Sequence, residues 1–184
     1  MRKTLALVYV AILATAVAMA AVDGKQLRHK AIGKRAVAGA VAKAGVGTVV
    51  NSPHQWGRGP EGFAERVGSS LGKHIVKETV QTGVAHALHE DLFYQPSNLN
   101  GTWPRVKYAV KGTFIVPRTD RPGKTVAVGR VSGNLAAGMV SQAWLPAASV
   151  GAGVASGGIG LAADVGVNVT REFLPRKHRR TRGK

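Results

Sequence analysis

The chain contains no cysteine. That absence excludes a disulfide framework, a cysteine-ligated zinc site and a thiol nucleophile. Aromatic residues are scarce: three Trp, three Tyr and four Phe in 184 positions. A core without many rings has to be filled by smaller groups. Acidic residues are fewer still, 9 Asp+Glu against 26 Lys+Arg, for a formal net charge of +17. Between Val131 and Thr170 the only Asp, Glu, Lys, Arg or His is Asp164.

What is present is 45% apolar, dominated by Ala, Val and 24 Gly. This apolar share excludes a wholly disordered chain, and the length suits one domain with tails. The opening residues carry the most specific signal. Arg2 and Lys3 precede the uncharged run Leu5 to Met19, and Ala18 and Ala20 occupy the −3 and −1 positions of an A-x-A box. This is the layout of a secretory signal peptide over 1–20. The shortness of the run and the small-residue box favour cleavage over a retained anchor. The mature chain would keep 24 Lys+Arg and 9 acids, a net +15. Outside the cytoplasm such a charge points to anionic lipid or envelope glycopolymer, in the periplasm or envelope. Nucleic acid is disfavoured, because aromatic residues do not alternate with the basic ones as stacking platforms.

Periodicity then divides the chain. Ala36, Ala40, Ala44 and Thr48 recur every fourth position within 25–50, which predicts a helix with a close-packing face. Val76, Val80, Val84, Leu88 and Leu92 form one stripe, and Phe63, Val67, Leu71 and Ile75 another at a different angle. This predicts an amphipathic helix over 61–92 with a kink or break near Gly72. Tyr94 to Pro104 reads as a loop. From Trp103 to Val116 helical and strand patterns overlap; the reading adopted is helix to about Thr113, then a short extended piece returning over Lys124 to Val128. Val131–Leu145 and Ala147–Phe173 follow, divided by Pro146, as candidates for a hairpin dipping into a bilayer. In the second, Val150, Val154, Leu161, Val165, Val169 and Phe173 form an apolar set, Gly153 and Gly157 a G-x-x-x-G pair, and Gly158, Ala162 and Gly166 a second small-residue row. Such rows allow close backbone approach. Asp164 and Asn168, one turn apart, form a polar pair expected to fix packing. The tail, 174–184, is basic and expected to be disordered. The expected fold is thus mainly α: a small Gly/Ala-rich bundle over 21–173 with one short extended hairpin.

Catalytic motifs are weak, and no catalytic residue is assigned. Gly68-Ser69-Ser70-Leu71-Gly72 matches G-x-S-x-G, but that chemistry needs a strand-to-helix turn and the pattern here is helical on both sides. Gly158-Ile159-Gly160-Leu161-Ala162-Ala163 matches G-x-G-x-x-A, but no acid follows at the required distance. No cofactor is therefore indicated. His74, Glu78 and His89 would fall within about 60° on an unbroken helix, a spacing that metal ligands use. They define the alternative reading, a small helical metal protein or enzyme.

The stretches His89-Glu90-Asp91-Leu92-Phe93-Tyr94, Thr113-Phe114, Ala143-Trp144-Leu145-Pro146 and Asp164-Val165-Gly166-Val167-Asn168, ahead of Glu172-Phe173, resemble a group of uncharacterised bacterial exported proteins with a signal peptide and Gly-rich helices. The resemblance covers most of the chain beyond about Gly62. It implies export and a helical build, and no activity.

Overall fold

The computed structural model describes residues 31–146 and 148–174. The expected signal peptide and cleavage box, and the tail from Pro175, lie outside the described residues. Five helices and one two-stranded hairpin make up the described fold, which is mainly α. In chain order they are α1 (Lys34–Val49), α2 (Pro60–Ala87), α3 (Thr102–Phe114), β1 (Ile115–Pro117), β2 (Lys124–Val126), α4 (Val128–Val140) and α5 (Val150–Phe173). Single 3-10 turns lie at His54–Trp56 and Ser141–Ala143. The strands are antiparallel, with Ile115 opposite Val126 and Pro117 opposite Lys124.

α4 is the centre of the packing. It lies against α2 on one side and α5 on the other; α1 adds to α2, and α3 to α5. Glycine lets it serve both neighbours. A Cβ on Gly133 would come within 2.8 Å of the Lys77 carbonyl oxygen and 2.7 Å of the Gln81 Cβ. One on Gly138 would overlap the backbone of Gly153 and Gly157 across the other seam. Helix axes can approach this closely only where side chains are missing, and the gain is dense backbone contact.

The buried positions are accordingly small or polar. On α1, Ala40 and Ala44 are buried, while Val37 and Val41 stay exposed. On α2, Val80 is buried, together with Gly62, Arg66, Thr79, Gly83 and Ala85. The expected break at Gly72 is absent, and α2 runs without interruption. It stops at Ala87 rather than Leu92: Leu88 caps it and His89 adopts φ +55°. Chain reversal there lets the next segment join the hairpin, where Asp91 donates to the Pro117 carbonyl and Thr119 to that of His89. The two arms of the expected bilayer hairpin around Pro146 differ in length. α4 has 13 residues, about 20 Å at 1.5 Å per residue, short of the ~30 Å hydrocarbon core.

Candidate functional site

Polar side chains hold the elements together where larger apolar ones would ordinarily do so. Glu172, near the end of α5, is 1% exposed. Its carboxylate accepts from the Tyr94 hydroxyl at 2.6 Å, the Ser97 amide at 2.9 Å and the Ser97 hydroxyl. Arg105 of α3 adds an ion pair at 3.4 Å and also donates to the Glu172 carbonyl, its guanidinium lying 4.4 Å from the centre of the Phe173 ring. Burial alone would raise the Glu172 carboxyl, but hydrogen bonds from Ser97, Tyr94 and Arg105 outweigh it and hold it below the ordinary value. The Tyr94 hydroxyl is pushed well above its ordinary value, first by burial and then by its bond to that carboxylate. One carboxylate thus fastens the loop after α2, the start of α3 and the end of α5.

Glu90 does comparable work at the hairpin. Its two oxygens accept from the Val128 and Gly129 amides at 2.9 Å each, capping the N-terminus of α4. A carboxylate is favoured there because it satisfies free N–H groups and complements the helix dipole. Arg130 serves the opposite pole of α3, donating to the carbonyls of Gly112, Thr113 and Leu92. Arg66 ties down the loop between α1 and α2 by donating to the Ser52, Pro53 and Gly57 carbonyls. These four side chains are spanned by structural hydrogen bonds, and sequence reasoning passed over all of them as sites. The available signal was compositional: with only 9 acids in the chain, each buried one has to join several elements at once.

The polar pair expected on α5 is divided. Asp164 accepts from Lys77 of α2 at 2.5 Å and from the Asn134 amide of α4 at 2.8 Å. Asn168 is buried and donates to the Thr113 hydroxyl of α3 at 2.9 Å. Gly153 and Gly157 are buried against α4, near Met139 and Leu135. His74, Glu78 and His89 do not form a site. The helix ends before His89, whose left-handed backbone destroys the assumed angular spacing. No group of three His, Cys, Asp or Glu among the described residues is placed to hold a metal ion. Ser70 lies inside α2 and Gly158 to Ala163 inside α5, so neither paper motif has the turn its chemistry requires.

Two features remain open to solvent. The first is a cleft of ≈ 320 Å³ between α1, α2 and the start of α5, with Lys43, Lys73, Ser69, Ser70 and Ser156 among its walls. The Lys73 ammonium lies 3.3 Å from the Ser156 hydroxyl. Burial, and then the charge on Lys43, pulls Lys73 below the ordinary lysine value. The second is the outer face of α5. This 24-residue helix is long and apolar enough to cross a membrane, with a mean hydropathy of 1.4 over its best window, of which 11% is buried. From Val150 to Ala163 it has no charged residue. Ala155, Ile159, Ala162 and Gly166 succeed one another at i, i+4, i+7 and i+11, all exposed, Ile159 to 71%. Compared with known protein families, curated proteins and solved structures, the chain matches none.

Proposed function

We propose that this is a non-enzymatic exported protein of the cell envelope that lies on an anionic lipid surface through the outer face of α5. The uncharged, solvent-facing row Ala155–Ile159–Ala162–Gly166 carries the reading. α5 meets the bilayer along its length rather than through it, because its other face is committed to α4 and to polar bonds with α2 and α3. The charge balance selects the lipid: at +15 after removal of residues 1–20 the chain is attracted to anionic headgroups, each nearby Lys or Arg adding about 1 kcal/mol. Apolar burial supplies the part that salt does not screen. The sequence layout of residues 1–20 and the resemblance to exported proteins support the location.

The test is flotation of the mature chain, beginning at Ala21, with phosphatidylglycerol-containing and pure phosphatidylcholine vesicles. The protein is expected to float with the anionic vesicles and remain partly bound at high salt. The double substitution A155D/I159D, on exposed positions, is expected to abolish that salt-resistant fraction while leaving the circular dichroism spectrum unchanged. Unaltered flotation of A155D/I159D, or self-association in place of vesicle binding, defeats the reading. Mass determination of the native amino terminus tests export separately, with cleavage expected before Ala21.

A further inference from the structure

We propose that the cleft between α1, α2 and the start of α5 is a binding site for a phosphate group. Its walls bring cations and neutral hydrogen-bonding groups together from separate elements. Lys43 comes from α1, Lys73, Ser69 and Ser70 from α2, Gln142 from the 3-10 turn after α4, and Ser156 from α5. No acidic residue lines it among the described residues. Of the other cations, Lys77 pairs with Asp164, Arg105 with Glu172 and Arg118 with Asp120, while buried Arg66 and Arg130 are held by backbone carbonyls. Among the described residues, Lys43 and Lys73 enter no ion pair and face each other's charge instead.

Two like charges sharing a partly desolvated cleft repel, and an anion between them removes the repulsion. A phosphate suits the arrangement better than a single carboxylate. Its charge of up to two matches two ammonium groups, and its several oxygens can accept from hydroxyls and a side-chain amide as well. Arg66, which also lines the cleft, adds fixed positive charge from behind, its guanidinium held by loop carbonyls. The volume of ≈ 320 Å³ lies at the small end of ligand sites, about 300–1,000 Å³. That is room for a phosphate with a compact substituent, whether from a soluble phosphate ester or a lipid headgroup. The site borders the outer face of α5 through Ala152 and Ser156, but its lysines belong to α1 and α2 and it does not depend on the lipid-surface reading.

Calorimetric titration of the full chain with inorganic phosphate and with glycerol phosphate, alongside binding to vesicles containing phosphatidic acid, whose headgroup is a phosphomonoester, tests the assignment. K43Q/K73Q removes two charges inside the cleft; K111Q/K124Q removes two at exposed positions elsewhere. In the phosphate arm, the wild type and K111Q/K124Q are expected to bind and to gain in Tm, while K43Q/K73Q loses at least about tenfold in affinity. Without phosphate, K43Q/K73Q should melt no lower than wild type, because the repulsion is gone. Should the double variant fail to fold, K43Q alone serves, since Lys43 is exposed on α1. Binding of the soluble phosphates assigns a soluble source. Vesicle binding alone, lost in K43Q/K73Q and kept in both K111Q/K124Q and A155D/I159D, assigns a headgroup. No binding in either arm, or equal losses in the two lysine pairs, overturns the proposal.

Discussion

α5 has two faces built from much the same residues, and they have opposite surroundings. Inward, Gly153 and Gly157 sit against the backbone of α4, and Asp164, Asn168 and Glu172 bond to α2, α4, α3 and the loop before it. Outward, Gly158 and Gly166 have no neighbouring atom within 4 Å of a Cβ position, and Ile159 stands in solvent. Small-residue spacing alone does not mark the packed side of a helix. The packed side is the one whose partner has a matching groove, which here means the side facing the glycines of α4. The apolar set Val150, Val154, Leu161, Val165, Val169 and Phe173 was not what chose it: Val150, Val154 and Phe173 are exposed, while Gly153, Gly157, Asn168 and Glu172 are buried.

The contrast is sharpest where a buried charge is involved. Glu172→Ala leaves the Tyr94 hydroxyl and the Ser97 amide without their acceptor, while Arg105 loses the carboxylate and keeps the Glu172 carbonyl. A loss of about 3–5 kcal/mol is expected, since two hydrogen bonds to a charged group, each contributing about 1.5–3 kcal/mol, are lost; urea unfolding measures it. Gly138→Ala comes next. Its methyl would overlap the Gly153 and Gly157 backbone, and helices must shift to accommodate it, at about 1–3 kcal/mol.

Alkaline pH should weaken the same inward face more gently. Tyr94 has a folded-state value above its ordinary 10.0. Its contribution is therefore complete below about pH 10, declines as the unfolded-state phenol ionises and is gone once pH passes the folded value. Tyr94→Phe should flatten that alkaline limb of a stability–pH profile. The smallest effect has the opposite sign. Gly158→Ala on the outer face meets no neighbour, so it should stabilise by about 0.5–1 kcal/mol through helix propensity. A destabilising Gly158→Ala would show that the outer face is already covered by something, in a second copy or otherwise.

Much of the architecture was readable along the chain. A helix within 25–50, found at 34–49, the helix–strand change near Thr113, the return strand from Lys124 and the break at Pro146 all follow from local pattern. Gly and Pro act on the backbone directly, and so their effects are visible in one dimension. The length of α2 was overestimated because the Val/Leu spacing continues past Ala87, whereas the chain turns at His89 to reach Pro117. The angular spacing of His74, Glu78 and His89 went with it, since it assumed one helical ruler from His74 to His89.

The roles of Glu90, Arg130, Glu172 and the Lys43–Lys73 pair were not readable in this way. Each depends on residues far along the chain: Glu90 meets Val128, Glu172 meets Tyr94, and Lys43 and Lys73, from different helices, line one cleft. By itself the sequence determined a helical chain with small-residue faces, because backbone propensity and spacing are local properties. Only the tertiary structure decided which of those faces was enclosed, and which charges found a counter-charge. Enclosure and pairing depend on what stands opposite, and that is decided by close backbone approach between helices distant in the chain.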